Sequence, residues 1–328
     1  MTRRRAFLAG MGALGAAGGA WAAGAFRATM GAADDRLAQG GSVIDGPAGA
    51  LEYAVAGRGP PLVMIHGTGG GFDQGLLFAR ALRERGFQIV APSRFGYLGS
   101  AFPEDASPAR QADVLVALLD HLAIDRVPVV GGSAGALSAA EFALRHPERC
   151  SRLVLLVPAA NLANRDPVAF AAWQRMAVDL VLGSDLAFWA LVTLAPRRML
   201  RTLLATDPAL LDRVEPDERR RAGRILKGLA PIGRKADGLR ADALWAGAPS
   251  ATPFDRVETP TLILSCEDDL FGTADTARLL AQRIPDARLV IYAEGGHIWL
   301  GRDRDVAAEI ARFVAPAGRA PRRPRTAS

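Results

Sequence analysis

Short apolar runs alternate with longer amphipathic segments along most of the chain. The short runs are rich in Val, Ile and Leu, which is typical of strands covered on both faces of a parallel sheet. The longer segments repeat apolar residues at helical spacing. The predicted strands are residues 51–56, 62–65, 88–91, 127–130, 153–157, 261–265 and 288–292, and the predicted helices are residues 76–85, 108–122, 136–146, 275–284 and 303–314. This order predicts an α/β fold with a doubly wound, mostly parallel sheet.

The alternation stops between residues 161 and 249, where the pattern is helical throughout. We expect this segment to form a helical cap, inserted into an α/β core of residues 42–160 and 250–315. The arginines at 219–221 follow three acidic residues, which favours a solvated helix face over an anion site. Residues 316–328 are rich in Pro, Arg and Ala and are predicted to be a disordered basic tail.

The first 30 residues are typical of a targeting segment. Residues 4–8 (Arg-Arg-Ala-Phe-Leu) form a twin-arginine pattern, and an uncharged Ala/Gly-rich stretch follows from 9 to 25. Residues 20–22 (Ala-Trp-Ala) offer a cleavage site flanked by small residues. The pattern predicts export through the twin-arginine machinery to the periplasm or the medium. The alternative is an uncleaved helix that remains as a membrane anchor. Residues 31–41, rich in Gly, Ala and Asp, are predicted to be a linker.

The positive charge is concentrated at the two ends of the chain. The formal net charge is +6, and seven arginines within residues 3–5 and 319–325 account for all of this excess. The remaining body is close to neutral and shows no basic stripe interleaved with aromatic residues. Composition therefore gives no reason to expect binding to nucleic acid.

The two cysteines are expected to remain free thiols. Cys150 precedes one predicted strand, whereas Cys266 follows another. If the two strands are parallel, the thiols lie at opposite ends of the sheet, roughly 15 Å apart. A disulfide cannot bridge that distance.

Residues 131–135 (Gly-Gly-Ser-Ala-Gly) carry the clearest chemical signal. They follow a predicted strand and precede a predicted helix, which is the context that a Gly-x-Ser-x-Gly turn requires. The turn exposes the hydroxyl of Ser133, and the glycines two residues before and after it let strand and helix approach. The N–H of Ala134 and the helix N-terminus then point at whatever binds Ser133, where they would stabilise an oxyanion. Ser133 is therefore the candidate nucleophile.

A serine nucleophile needs a base, and the chain has four histidines. His121 and His146 lie in or at the end of predicted helices and are expected to be structural. His66 opens a glycine-rich loop and is expected to brace it. His297 follows the last predicted strand in a Gly-Gly-His loop, where its side chain can reach over the sheet edge. We therefore select His297 as the base.

The base needs an orienting carboxylate, and residues 267–269 (Glu-Asp-Asp) follow the strand predicted at 261–265. The chain order of serine, acid and histidine places the acid in this loop, with Asp269 as the candidate. Acids in such a loop can also bind a cation. No histidine is close in sequence, however, and this serine chemistry needs no metal, so we expect neither metal nor cofactor.

These motifs together resemble the α/β-hydrolase superfamily over residues 43–314. The resemblance rests on residues 66–70 (His-Gly-Thr-Gly-Gly), 93–100 (Ser-Arg-Phe-Gly-Tyr-Leu-Gly-Ser) and 131–135, together with the Asp269 and His297 loops. It implies an eight-stranded sheet, a cap between the sixth and seventh strands, and an oxyanion hole formed by the amides of Thr68 and Ala134. The family's pattern around the acid, Gly-x-x-Asp-x-x-x-Pro, selects Asp269 by its register. This chain has Cys266 in place of the glycine and Thr273 in place of the proline, so Asp268 stays open as the alternative.

The resemblance also narrows the chemistry. Ser133 stands where dehalogenases and epoxide hydrolases of this superfamily use an aspartate, and all three tyrosines lie outside the predicted cap. The expected activity is hydrolysis of a small to medium, largely hydrophobic carboxylic ester or lactone. One alternative is carbon–carbon bond hydrolysis of a diketone by the same triad. Another is a binding or sensor protein on the same scaffold, without catalysis. Sequence does not indicate the oligomeric state.

Overall fold

Eight strands form one sheet in the computed structural model. The structure describes residues 2–162, 183–247 and 251–315, and only the backbone of residues 2–18 and 246–247. The strands are β1 (Ser42–Gly46), β2 (Gly49–Ala56), β3 (Pro61–Ile65), β4 (Gln88–Pro92), β5 (Val127–Gly132), β6 (Cys150–Leu156), β7 (Thr261–Cys266) and β8 (Ala287–Tyr292).

Across the sheet the strands follow the order β1-β2-β4-β3-β5-β6-β7-β8. Strand β2 is antiparallel to both neighbours, and every other pair is parallel. The predicted fold class is therefore confirmed. The seven predicted runs all overlap strands, whereas β1 was not predicted, because this edge strand is mostly exposed and carries little apolar sequence.

The helices connect the strands and cover both faces of the sheet. They are α1 (Thr2–Ala38), α2 (Phe72–Phe78), α3 (Arg80–Glu84), α4 (Pro108–His121), α5 (Gly135–Arg145), α6 (Asp185–Leu194), α7 (Pro196–Leu203), α8 (Pro216–Gly228), α9 (Ala236–Gly247), α10 (Thr273–Arg283) and α11 (Asp303–Val314). Helix α4 begins at Pro108 with the Ser107 side chain accepting a hydrogen bond from Arg110 N–H. The single helix predicted over residues 76–85 is instead two short helices that meet at Ala79, where the backbone leaves helical geometry.

Successive residues of the central strands point to opposite faces and fill two separate cores. In β3, Val63 and Ile65 pack with α4, α5 and α10, whereas Leu62 and Met64 pack with α2, α3 and α11. Burial on both faces explains why the runs are apolar without alternation. The two layers of helices hold the carboxyl ends of β3, β5, β7 and β8 at one edge of the sheet.

The predicted cap enters between β6 and β7, at that carboxyl edge. Its described part, residues 183–247, contains α6 to α9 and two short 3₁₀ segments, with no strand among them. Side chains from α6, α7 and α8 form a third apolar cluster with Ile298 and Leu300 of the loop after β8. The cap therefore packs directly on the loop that carries His297. Residues 163–182 and 248–249 of the predicted cap lie outside the described residues.

Helix α1 continues to Ala38 and packs on the body through its last turns. Ala33 and Leu37, four residues apart, are both buried. Arg36 forms a 2.9 Å ion pair with Asp73 of α2. The prediction of a linker is therefore wrong for residues 31–38, because these apolar positions bury one face of the helix.

The cap also contacts α1. The ring of Trp189 in α6 packs edge to face on Phe26, and its indole N–H donates a 3.2 Å hydrogen bond to Thr29 Oγ1. Residues 26–30 thus contact the fold, although the sequence placed them in the targeting segment. Among the described residues, no helix is long and apolar enough to cross a membrane.

Both cysteines are buried and free. Cys150 is the first residue of β6 and Cys266 the last residue of the adjacent parallel strand β7. The two thiols therefore lie at opposite ends of the sheet, as expected.

Candidate active site

Ser133 lies on the tight turn between β5 and α5. Its φ of 53° is in the left-handed region, which non-glycine residues rarely occupy. Such strain is retained where the surrounding structure enforces it, commonly at functional sites. The turn is held by a 2.9 Å hydrogen bond from Ser133 N–H to Leu156 O and a 3.1 Å bond from Ala159 N–H to Ser133 O. The hydroxyl is thereby presented at the carboxyl edge of the sheet.

The flanking glycines are required by close contacts. A Cβ atom on Gly131 would lie 2.6 Å from the carbonyl oxygen of Gly135. A Cβ atom on Gly135 would lie 2.5 Å from the carbonyl oxygens of both Ile65 and His66. Backbone atoms cannot yield to such contacts without moving the strand. These two glycines therefore allow β3, β5 and α5 to meet beneath Ser133, as the motif predicted.

His297 hydrogen-bonds to Ser133 on one side and to Asp269 on the other. Its Nε2 is 2.8 Å from Ser133 Oγ, and its Nδ1 is 2.8 Å from Asp269 Oδ2. A carboxylate only accepts, so Nδ1 carries the ring proton and the neutral ring presents Nε2 to the serine. The sequence-predicted serine, histidine and acid thus meet in one continuous hydrogen-bonded chain, the arrangement that activates a serine hydroxyl.

The two adjacent aspartates have different partners. Asp269 is buried and faces the imidazole, and its Oδ1 accepts a 2.9 Å hydrogen bond from Phe271 N–H. Asp268 instead accepts from the backbone N–H groups of Gly295 and Gly296, at 3.2 and 2.8 Å. Asp268 therefore braces the loop that carries His297, and Asp269 alone of the two contacts the ring.

His66 braces the glycine-rich loop after β3 and does not contact Ser133. Its Nδ1 donates to Gly67 O at 2.7 Å, and its Nε2 accepts from Arg94 N–H at 2.9 Å. Complete burial, and next the nearby Arg94 charge, hold the pKa of His66 well below its ordinary value. The ring is thus neutral with both nitrogens engaged, in agreement with its expected structural role.

The two amides predicted to bind an oxyanion flank the serine. Ala134 precedes α5, where the first backbone N–H groups of a helix have no partner within the helix. Thr68 and Ser133 line the same cavity. A Cβ atom on Gly67, the residue before Thr68, would lie 3.0 Å from Ser133 Cβ. The loop after β3 therefore approaches Ser133 closely. This arrangement is compatible with the predicted oxyanion role of Thr68 and Ala134.

A cavity of about 590 Å³ opens above these groups. Ser133 and His297 contribute to its floor, and the cap contributes residues from α6, α7 and the loop after α8. The lining is predominantly Leu, Phe, Ile and Met, and contains no Asp, Glu, Lys or Arg among the residues that the structure describes. Phe271 packs edge to face on the His297 ring, with ring centroids 4.8 Å apart. The site favours an uncharged, apolar ligand next to the serine.

Two further contacts were not anticipated from sequence. The hydroxyl of Thr273 donates a hydrogen bond to Asp269 Oδ2, the oxygen that also contacts His297. Tyr97 connects the glycine-rich loop to Asp242 of the cap helix α9. The sequence marks Thr273 only as the residue in place of a family proline, and nothing local in sequence connects Tyr97 with Asp242.

Comparison with known proteins defines the class. A model of the alpha/beta hydrolase fold matches residues 60–300, and the chain therefore belongs to the α/β-hydrolase family. It is similar to the uncharacterized hydrolase YcgS of Bacillus subtilis (strain 168), with 28% identity over 271 residues that cover 78% of this chain and 91% of the relative. It is also similar to the 2-hydroxymuconate semialdehyde hydrolase of Pseudomonas sp. (strain CF600), with 31% identity over 255 residues, 74% of this chain and 82% of the relative.

Among solved structures, an alpha/beta hydrolase fold protein from Nakamurella multipartita superposes with a TM-score of 0.70. It is 24% identical, and the match covers 83% of this chain and 98% of that structure. This likeness supports the fold, and the family match makes the chain a hydrolase, as predicted.

Proposed function

We propose that the chain is a serine hydrolase that cleaves an uncharged, largely hydrophobic carboxylic ester or lactone. The proposal rests on the hydrogen bonds that connect Ser133 to His297 and His297 to Asp269 at the floor of an apolar cavity. The fold alone would not support it, because α/β-hydrolase scaffolds host many reactions.

In the proposed reaction, Ser133 Oγ attacks the ester carbonyl carbon while its proton passes to His297 Nε2. The amides of Thr68 and Ala134 receive the negative charge that develops on the carbonyl oxygen. The carbon–oxygen bond then breaks, and His297 gives its proton to the leaving alcohol. A water molecule, deprotonated by His297, then attacks the acyl carbon. The bond from this carbon to Ser133 Oγ breaks, His297 returns its proton to Oγ, and the carboxylic acid leaves. Asp269 holds the imidazole and stabilises its charged form at both stages.

Carbon–carbon bond hydrolysis is the second candidate, because one relative is a 2-hydroxymuconate semialdehyde hydrolase. The substrate named for that relative carries a carboxylate. The cavity of this chain presents no Lys or Arg side chain among its described lining residues. A buried carboxylate without a cationic partner is costly, so the lining favours a neutral ester. The loss of absorbance of a dienol substrate measures carbon–carbon bond hydrolysis, and the turnover of p-nitrophenyl esters measures ester hydrolysis. Comparing the two rates separates the two reactions.

The test uses a fluorophosphonate probe, which reacts with activated serines, on the wild type and on Ser133→Ala. We expect labelling of the wild type alone, and hydrolysis of p-nitrophenyl esters that improves from acetyl to medium-length acyl chains. Equal labelling of both proteins would contradict the proposal. A wild type that is neither labelled nor active would favour the binding or sensor alternative.

We further propose that the protein is exported by the twin-arginine machinery. The proposal rests on residues 4–8 and the uncharged stretch that follows. N-terminal sequencing of the exported protein distinguishes cleavage after residue 22 from a retained anchor, and Arg4→Lys with Arg5→Lys should keep the protein in the cytoplasm. Export of that double variant at the wild-type level would contradict the proposed route.

A further inference from the structure

The mouth of the cavity is mostly apolar. Leu191 of α6, Leu203 of α7 and Phe271 line the cavity and are also exposed to solvent, so they form the apolar part of its rim, next to the exposed Thr68 and Thr202. Phe271 is 58% exposed. Leu194 lies one helical turn after Leu191 on the same side of α6 and is 82% exposed. The apolar interior of the cavity therefore continues outward onto the surface of the cap.

Helix α6 is apolar over most of its circumference. After Asp185 it contains no charged residue, and Thr193 is its one further polar residue. Phe188 and Val192 fill the cap core, and Trp189 packs against α1. Leu191 and Leu194 face outward instead. A continuous exposed apolar patch of this kind marks an interaction surface.

The next helix supplies positive charge beside this patch. In α7, Met199 and Leu203 line the cavity, whereas Arg198 and Arg201 are exposed. Arginines on one side and apolar residues on the other are the pattern of helices that lie in a lipid interface. Exposed arginines at such a surface attract anionic lipid headgroups.

The N-terminal helix brings an uncharged stretch of sequence to the same cap helix. Residues 6–26 of α1 include no charged residue, and Trp21 is 67% exposed. The following turns contact α6 through Phe26 and Thr29, which both touch Trp189. The uncharged segment of α1 and the cavity rim thus adjoin one element of the cap. A lipid surface fits both the rim and the uncharged segment of α1, because it has an apolar layer beneath a layer of charged headgroups.

We propose that the rim formed by Leu191, Leu194, Leu203 and Phe271 rests on an anionic lipid surface, and that the cavity receives the acyl chain of a lipid ester from it. This inference rests on the proposed serine hydrolase function and specifies its substrate class. Ser133 at the floor of the cavity then meets the ester group of the lipid, while the acyl chain of the lipid lies among the residues of the cap.

The test compares two substrates of the full-length chain. One is a fluorogenic long-chain ester embedded in phosphatidylcholine vesicles, with or without phosphatidylglycerol, and the other is soluble p-nitrophenyl butyrate. Leu194 is the residue to change, because it belongs to the rim without lining the cavity. The variants are Leu194→Asp and Leu194→Gln. Leu244→Asp is the matched control, since Leu244 is a 67% exposed leucine on α9 that does not line the cavity.

We expect the rate on vesicles to fall about tenfold in both Leu194 variants. Their rate on soluble p-nitrophenyl butyrate should stay within about twofold of the wild type. Leu244→Asp should change neither rate. Arg198→Gln with Arg201→Gln should remove the acceleration by phosphatidylglycerol. Equal losses on both substrates, unchanged vesicle rates, or equal effects of Leu194→Asp and Leu244→Asp would overturn the inference. A wild type inactive on the soluble ester would instead overturn the proposed function.

Discussion

Tyr97 and Asp242 connect the floor of the cavity to its cap. The Tyr97 hydroxyl donates a 2.6 Å hydrogen bond to Asp242 Oδ2 and accepts a 3.2 Å bond from Gly69 N–H. Arg94 holds the same carboxylate with two hydrogen bonds of 2.6 and 2.8 Å and also donates to His66 O. Helix α9 of the cap is therefore attached, through buried polar groups, to the loop that carries Thr68.

Tyr97→Phe should disturb the oxyanion loop more than the fold. The substitution leaves Gly69 N–H without its acceptor, one residue after the amide assigned to the oxyanion. An unsatisfied buried group costs about 1–3 kcal/mol, so we expect kcat/KM for p-nitrophenyl butyrate to fall about tenfold or more. Tyr53→Phe is the control, because its hydroxyl contacts His121 instead. If Tyr97→Phe and Tyr53→Phe have the same melting temperature and lose the same share of kcat/KM, the prediction fails.

Asp242→Asn should act chiefly on stability. It leaves the buried guanidinium of Arg94 without its countercharge, because these two side chains are each only 10% exposed. Removing one partner of a buried ion pair costs about 3–5 kcal/mol. Urea unfolding should therefore show a loss of that size. A variant as stable as the wild type would mean that the pair contributes nothing to attachment of the cap.

The neighbouring aspartates 268 and 269 should respond differently to the same substitution. Asp269→Asn places an amide opposite His297 Nδ1 and favours the wrong ring tautomer, so kcat should fall about 10³- to 10⁴-fold with little change in stability. Asp268→Asn keeps an oxygen that can accept from Gly295 or Gly296, so kcat should fall less than about tenfold. Steady-state kinetics on one soluble ester measure both effects. The reverse ranking would assign the triad acid to Asp268.

The sequence predicted those features that depend on local pattern. Ser133 was recognisable because its motif lies between a strand and a helix, and the structure brings His297 to it from 164 residues away. Parallel strands end at one edge, so chain order placed the candidate acid in a loop that contacts His297. Which of two adjacent aspartates faces the ring depends on the backbone of that loop, which no periodicity encodes. The catalytic roles themselves stay predictions.

Features that depend on contacts between distant segments could not be predicted. Tyr97 and Asp242 are 145 residues apart, and neither lies in a pattern that indicates the other. Strand β1 lacked an apolar run because it is an edge strand with exposed residues. Residues 31–38 resembled a linker in composition, yet Ala33 and Leu37 bury one side of a helix.

Thr273 should position Asp269 for its contact with His297. Its hydroxyl donates to Asp269 Oδ2 and lies 2.8 Å from Ser265 Oγ, which must then donate to it, since the ionised carboxylate can only accept. Thr273→Val removes this donor at nearly constant volume, and we expect kcat to fall about tenfold. Thr273→Ser should restore most of the rate.

Rescue by serine distinguishes this role from a packing role, because serine keeps the hydroxyl donor and lacks the methyl group of threonine. Valine keeps both branches at the Cβ atom and lacks the donor. A Thr273→Ser variant as slow as Thr273→Val would show that the hydroxyl does not act through Asp269.

Lys235 gives the fold a pH dependence that can be measured separately from activity. It is fully buried, and its Nζ donates a 2.7 Å hydrogen bond to Gly228 O at the end of α8. Burial lowers the pKa of Lys235 from 10.5 to about 8. Between these two values the unfolded chain binds a proton that the folded chain does not. The free energy of unfolding should therefore rise with pH across this window, by about 2–3 kcal/mol from this residue.

Lys235→Met isolates this contribution, because methionine fills a similar volume and does not titrate. Burial raises the pKa of both Cys150 and Cys266 to about 12, which lowers stability as pH rises above about 9. These thiols are present in both proteins, so their effect cancels in the difference. Urea unfolding under reducing conditions from pH 7.5 to 10 should show wild-type stability rising relative to the variant. A difference that stays constant over this range would mean that Lys235 keeps an ordinary pKa in the folded protein.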